Sequence, residues 1–504
     1  MNPFSNRRCF MQRAGLGAAS LAMSELPSLH HLSPLQAEDL TLPKDAVQFR
    51  PEIEPLVRWI EETPRERLIE EVAERIKKGT SYRDILSALL LAGVRNIQPR
   101  PVGFKFHAVL VVHSAHQASM QAPSHERWLP IFWALDYFKD SQARDRREGN
   151  WPLREPREAS LPSPEAAPKA FCQAMDAWDE EAVDQATAGL ARSAGAATIL
   201  DLFARYGCRD YRDIGHKAIY VANSWRVLQS IGWQHAEPVL RSLAYAMLAH
   251  GGDNPAEGNQ SADRAGRSNE QYVGAFPAGW QQGRVDHGAT LSFAEVLREG
   301  SDLEASAQAM HLMREGMDPS CLWDAILNFS GELLRKHPGI VSLHAITTSN
   351  ALHFAYKACG SETTRQKVLL QACSFMPLFR GDIVSSSEHR FDQLERSPLP
   401  VDADQALSEV FATVDKDKAL AASKVFAYLE AGHDPLAFMD AARRYLFLKG
   451  SNSHDYKFTS AVLEDFFHIS SRWRHHYLAS SVFHLKGSEA KTNPLVERIR
   501  SAMG

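Results

Sequence analysis

The chain has 504 residues, 44% of them apolar, and a formal net charge of −5. This composition is sufficient for a folded core and excludes the strongly basic surface that nucleic-acid binding requires. No run of about 18 apolar residues predicts a membrane span. The expected partner is therefore a small-molecule substrate, rather than nucleic acid or a membrane.

The N-terminus combines paired arginines with a weakly apolar, small-residue stretch. Arg7 and Arg8 precede Cys9-Phe10-Met11, and the apolar stretch runs over residues 14–23. This pattern resembles a twin-arginine export signal, with cleavage expected near Ala37. The resemblance implies a signal over residues 1–37 and a folded protein that is periplasmic or otherwise exported. The alternative is an ordinary arginine-containing tail.

Beyond the N-terminus, the apolar residues recur at helical spacing almost throughout. Ser81 is placed to cap one helix, and Asp434-Pro435 combines a cap with proline in the first helical turn. Glycines such as Gly79 are placed to end others. No Asn-Gly hairpin joins alternating apolar runs. The predicted fold class is all-α.

A glycine that ends a predicted helix is followed by a histidine at four places in the chain. The pairs are Gly79 and His107, Gly207 and His235, Gly316 and His344, and Gly432 and His454. The separation is 28 residues in the first three pairs and 22 in the fourth. This spacing predicts one folded region, residues 38–504, built from four diverged multi-helix repeats. We expect them to pack as a helical array or a pseudo-symmetric bundle.

The predicted repeats cover about residues 52–142, 165–286, 290–395 and 404–502. One histidine from each, converging on a common axis, would form a metal site, because imidazole is the commonest protein metal ligand. The predicted ligands are His107, His235, His344 and His454, and the predicted cofactor is a transition metal, with iron as the first candidate. The alternative is that these histidines make hydrogen bonds between repeats.

Three other histidines are candidate catalytic groups: His113, His216 and His287. Asp213 lies three residues before His216, a spacing that suits a carboxylate orienting an imidazole on one helix face. His287 follows a long segment, residues 251–283, rich in Gly, Asn, Ser and Gln. A loop of this length is usually functional or disordered, and its aromatic residues favour an ordered lid over the substrate.

The helices that begin at Phe106-His107-Ala108 and Leu343-His344-Ala345 are similar to those of the questin-oxidase-like group of all-helical proteins. The resemblance covers short helices, and it implies oxidative chemistry without assigning any residue. The sequence thus predicts an exported His-ligated metalloprotein, an oxidoreductase acting on a small organic substrate. The alternative is a non-catalytic helical scaffold or ligand-binding protein whose histidines bridge repeats.

Overall fold

The computed structural model describes residues 43, 45–248, 254–383 and 389–504. The predicted export signal, residues 1–37, lies outside the described residues. Within these ranges the chain is helical, and its only β-pairing consists of two isolated bridges. The all-α prediction is confirmed. None of the described helices is long and apolar enough to cross a membrane.

The helices are numbered here in chain order. Those before residue 150 are α1 (Glu54–Glu62), α2 (Arg65–Lys77), α3 (Tyr82–Asn96), α4 (His107–Leu110), α5 (Val112–Met120) and α6 (Leu129–Glu148). Those between residues 160 and 270 are α7 (Ala167–Ala177), α8 (Glu180–Ser193), α9 (Ala196–Gly207), α10 (His216–Ile231), α11 (Ala236–Met247) and α12 (Ser261–Asn269).

The next group is α13 (His287–Glu299), α14 (Asp302–Arg314), α15 (Ser320–Lys336), α16 (Ile340–Ala358) and α17 (Glu362–Arg380). The last group is α18 (Ala403–Val414), α19 (Lys418–Glu430), α20 (Pro435–Lys449), α21 (Ser453–Asp465), α22 (Arg474–Ser480) and α23 (Leu495–Met503).

Local sequence signals set many of these boundaries. The Ser81 side chain accepts a hydrogen bond from the Asp84 amide at the start of α3, and Asp434 caps α20 with Pro435 in its first turn. Gly79 and Gly432 follow α2 and α19 at φ angles of +101° and +82°. Glycine suits these positions because a side chain is strained at such angles.

Four helical segments from distant parts of the chain pack around one another. The interrupted helix α4–α5 contacts α10, α10 contacts α16, α16 contacts α21, and α21 contacts α5. We call this closed set the four-helix ring. One member comes from each of the four predicted units, although the repeat relationship itself remains a prediction. The ring brings together the starts of helices that lie more than 100 residues apart in sequence.

A polar layer crosses the interior of the ring two to three turns along its helices. Arg226 of α10 donates to Glu464 of α21 at 2.8 Å and to Asn350 of α16 at 3.0 Å. Asn350 donates in turn to Asp465 at 2.9 Å, and Tyr477 donates to the same carboxyl group at 2.7 Å. These bonds join three ring helices and α22, so the ring has specific polar contacts as well as an apolar core.

The described part of the 251–283 segment packs along α17. The Trp280 indole donates to Glu362 at 2.9 Å, and Asn269 donates to Gln371 at 2.7 Å. Its helix α12 also contacts the chain just before α10, where Asp263 accepts two hydrogen bonds from Arg212. The segment is thus anchored by side chains at both places, and it supports the connection that leads to His216.

Candidate metal centre

Four histidines meet at the end of the ring where its helices begin. His107 and His216 are the first residues of α4 and α10, His454 is the second of α21, and His344 is the fifth of α16. One ring nitrogen from each of His107, His344 and His454 lies within 4.8 Å of the other two. The Nε2 atom of His216 lies 3.0 Å from that of His107 and 2.9 Å from that of His344. We call these four residues the histidine cluster.

The backbone fixes the tautomers of two cluster members. The Nδ1 atom of His216 lies 2.7 Å from the carbonyl oxygen of Asp213, and the Nδ1 atom of His344 lies 2.7 Å from that of Ile340. A carbonyl oxygen can only accept, so each Nδ1 must carry the proton. In a neutral imidazole the Nε2 atom is then an unprotonated acceptor. The Nε2 atoms of His216 and His344, which lie 2.9 Å apart, therefore each present a lone pair. Neither carries a proton that could form a hydrogen bond between them.

The cluster histidines favour the uncharged form. Burial lowers the pKa of His216 to about 3. Burial, with a smaller contribution from the neighbouring positive charges, also holds the pKa values of His107, His344 and His454 well below the ordinary value. Neutral imidazole is the form that binds a metal ion. Each neutral imidazole therefore has one unprotonated nitrogen whose lone pair is available to a metal cation.

The distances also fit metal coordination. Two nitrogen ligands at right angles around an ion, each about 2.1 Å from it, are about 3.0 Å apart. The His216 contacts of 2.9 and 3.0 Å match this spacing. The Nε2 atom of His454 is buried and has no hydrogen-bond partner among the described residues, as expected of a nitrogen available to a ligand. Histidine ligands also commonly donate their other ring N–H to a carbonyl group, as His216 and His344 do.

A left-handed turn places His216. Asp213, Ile214 and Gly215 have successive φ angles of +57°, +46° and +80° just before α10. This conformation is strained for a β-branched residue such as Ile214. Thr348 of α16 donates to the Ile214 carbonyl at 3.3 Å and fixes the turn from the other side. Such strain persists only where the surrounding structure determines it, and it is often associated with functional sites.

Glycines allow the close packing around this turn. A Cβ atom on Gly215 would lie 2.2 to 2.8 Å from atoms of the Thr348 side chain. A Cβ atom on Gly103, which has a φ angle of +121°, would lie 3.3 Å from the His216 ring. Both glycines are therefore required for the observed ring position.

A capping box fixes His454. The Asn452 side chain accepts hydrogen bonds from the His454 and Asp455 amides at 2.9 and 3.1 Å. Asp455 accepts in return from the Asn452 amide and pairs with Lys486 at 3.1 Å. His454 is the least buried residue of the cluster, although its Nε2 atom is buried.

The structure brings three of the four predicted ligands together, and His216 rather than His235 lies beside them. His235 lies outside the cluster, just before α11, where burial lowers its pKa and the nearby charges of Glu52, Arg50 and Arg83 have smaller effects. His216, predicted as a catalytic group, occupies the corresponding place in the ring. The reason is that Gly207 ends α9, the third helix of its unit, whereas Gly79 and Gly432 follow the second helix of theirs. The earlier break between α8 and α9 at Gly195 lies 21 residues before His216, close to the 22 of the fourth unit.

The other predicted catalytic histidines lie apart from this grouping. His287 is exposed at the start of α13, with its ring centroid 6.0 Å from that of Trp473. His113 is buried in α5, and neither of its ring nitrogens has a hydrogen-bond partner in the described part of the chain. Burial, with a smaller effect of the Arg226 charge in the polar layer, holds the pKa of His113 well below its ordinary value. His113 therefore belongs to the interior of the ring rather than to the cluster.

Lys457 is a residue at this site that the sequence did not single out. It lies three residues after His454 on α21 and is 3% exposed, and within the described ranges its Nζ atom has no hydrogen-bond partner. Its positive charge lowers the pKa values of all four cluster histidines, after the larger effect of burial. The i, i+3 spacing of His454 and Lys457 was a usable signal, since it places both side chains on one helix face.

Comparisons of the chain with models of protein families, with curated protein sequences and with solved structures find no match.

Proposed function

We propose that the histidine cluster binds one transition metal ion and that the protein is a metal-dependent oxidoreductase acting on a small organic substrate. The observation that carries the metal proposal is the approach of His216 and His344 through two unprotonated Nε2 atoms, 2.9 Å apart. Their Nδ1 protons are already donated to backbone carbonyls. The lone pairs of the two nitrogens repel each other, and a cation bound by both nitrogens would remove that repulsion.

The ligand chemistry narrows the choice of metal. Within the described residues, the group close enough to hold an ion consists of histidines and contains no carboxylate or thiolate. Imidazole nitrogen suits iron, copper, nickel and zinc better than calcium or magnesium. Iron remains the first candidate, because the helices resemble those of a group associated with oxidation. A redox-active ion in this site would supply one-electron chemistry.

The alternative is a scaffold in which the histidines bridge helices by hydrogen bonds. That arrangement needs a proton between His216 and His344, so one of the rings would have to be charged. Burial opposes that charge. The metal-bound reading is favoured because it leaves every cluster imidazole neutral.

The direct test is elemental analysis of purified protein, compared with the double variant His107→Ala/His344→Ala. We expect about one metal ion per chain in the unaltered protein and loss of the ion from the variant, with helical content retained in circular dichroism. The double variant His125→Ala/His311→Ala is the matched control, because both of these histidines are exposed. The control should retain the metal.

The redox part has its own readout. A bound iron or copper ion should change its electron paramagnetic resonance spectrum on reduction with dithionite and recover it on exposure to oxygen. Stoichiometric zinc would contradict the oxidoreductase proposal while leaving the metal site intact. Protein that takes up none of iron, copper, nickel or zinc would contradict the metal proposal and favour the bridging alternative.

A further inference from the structure

With a bound metal ion, the histidine cluster and Lys457 would together hold an excess of buried positive charge. A divalent ion held by four neutral imidazoles keeps its full charge of +2, because the ligands contribute none. The described group of possible ligands contains no acidic side chain that could offset it. Lys457 adds a buried amine whose positive charge acts on all four cluster histidines. Buried charge without compensation is costly, so the site requires negative charge from another source.

The nearby carboxylate is already engaged elsewhere. Asp455 is next to His454 in sequence, but its oxygens accept from the Ser451 and Asn452 amides and pair with Lys486. These bonds hold Asp455 at the cap of α21 rather than toward Lys457. The Lys457 Nζ atom has no hydrogen-bond partner among the described residues, although a buried ammonium or amine normally has one.

Helix orientation adds to the same requirement. His216 is the first residue of α10, which has 16 residues, and His454 is the second residue of α21, which has 13. The positive ends of these helix dipoles therefore lie at the cluster. This field disfavours additional positive charge and favours an anion beside the metal.

We propose that Lys457 and the bound metal form a two-point anion site, and that the natural substrate carries a carboxylate or an enolate- or phenolate-type oxyanion that bridges them. This inference rests on the proposed function, since it requires the metal. One oxygen of the anion binds the ion, and a second oxygen or the same one accepts a hydrogen bond from Lys457 Nζ. Lys457 thereby gains the partner that it lacks, and the negative charge offsets that of the ion.

Burial lowers the pKa of Lys457 to about 7, which is consistent with an amine that has no anionic partner. An anion bound beside it favours the ammonium form. A neutral substrate of the same shape would leave Lys457 unpaired, so the site discriminates by charge.

The test compares Lys457→Met with the unaltered protein, both loaded with the metal identified by elemental analysis. Methionine has a similar length and no charge. Azide binding to the oxidised ion, followed by its ligand-to-metal absorption band, probes anion affinity. We expect at least a tenfold weaker azide affinity in the variant at unchanged metal content. Nitric oxide binding to the reduced ion is the uncharged control and should differ by less than twofold.

A second measurement separates this role from a structural one. Because Lys457 has no partner to lose, Lys457→Met should raise the melting temperature of the metal-free protein. Azide affinity within twofold of the unaltered protein would overturn the inference. Loss of the metal from a folded variant would also overturn it, since Lys457 would then be a ligand. If the unaltered protein takes up no metal, both the inference and the proposed function fail.

Discussion

At the scale of single residues, the cluster depends on which nitrogen of each imidazole carries a proton. The bonds from His216 to Asp213 and from His344 to Ile340 involve backbone carbonyls, so they persist through most side-chain substitutions. They orient both rings before any ligand arrives. A preoriented imidazole binds a metal ion more tightly, because less conformational freedom is lost on binding.

The two candidate histidines of the second unit can be separated experimentally. We expect His216→Ala to reduce metal content to below a tenth of that of the unaltered protein, because its Nε2 atom contacts both His107 and His344. His235→Ala should retain the metal. Both histidines are similarly buried, at 5% and 6% exposure, so the pair controls for loss of a buried ring. Elemental analysis after gel filtration is the measurement, and equal retention by the two variants would contradict the assignment.

At this scale three of the four ligands predicted from the sequence lie in the cluster, and their binding of a metal stays a prediction. His107, His344 and His454 follow helix-ending glycines at regular distances, and the structure brings them together. His216 was recognised as a candidate but not as a partner of the other three. Lys457 carried no repeated spacing, and its importance comes from enclosure by other helices, which depends on tertiary packing.

At the scale of elements, the left-handed turn at residues 213–215 is the least regular part of the site. The turn lies in the connection before α10 and holds His216 at the start of that helix. The corresponding connection before α4 in the first unit is longer. The sequence could not predict it, because neither Asp213 nor Ile214 is a residue that favours a left-handed conformation as glycine does. Contacts from Thr348 and from the Arg212–Asp263 ion pair hold it in place.

Two glycines with nearly equal backbone angles provide a test of this turn. Gly215 has a φ angle of +80° and would clash with Thr348 if it carried a Cβ atom, whereas Gly432 has a φ angle of +82° and open space around it. Gly432→Ala should cost about 1 kcal/mol, the usual penalty of this conformation. Gly215→Ala should cost clearly more and should also weaken metal binding. Urea unfolding and metal titration of both variants would check this, and equal costs would contradict it.

At the scale of the whole molecule, four distant helices close into a ring with the cluster at one end and a polar layer inside. The all-α class followed from periodicity and caps, both of which are local. The closed contact cycle did not follow, because helical spacing identifies an apolar face but not the helix that covers it. Arg226, Asn350 and Asp465 lie on different ring helices, and only the folded chain shows that they are bonded.

The polar layer predicts a pH dependence of stability. Burial raises the pKa of Asp465 from 3.8 to about 7. The folded state therefore holds a proton between about pH 4 and pH 7 that the unfolded state has lost. The stabilisation is complete below about pH 4 and is lost as the pH rises toward 7, by up to about 1.4 kcal/mol per pH unit.

Asp465→Asn should remove this dependence, because asparagine has no proton to lose. The free energy of unfolding of the metal-free variant, relative to the unaltered protein, should increase steadily from pH 4 to pH 7. Asp440→Asn is the control, since the Asp440 side chain is 70% exposed. Urea unfolding at several pH values gives both differences. A constant difference across this range for Asp465→Asn would rule out a buried protonated carboxyl group.

The ring also determines when during synthesis the proposed metal site can form. Its helices begin at residue 107 and end at residue 465. At usual rates of translation, about 5–20 residues per second, the ribosome needs on the order of tens of seconds to pass from the first helix to the last. During that interval the nascent chain holds at most three of the cluster histidines. The complete histidine cluster therefore forms only after α21 has left the ribosome, so under the proposed function metal loading would be a late event in the maturation of the chain.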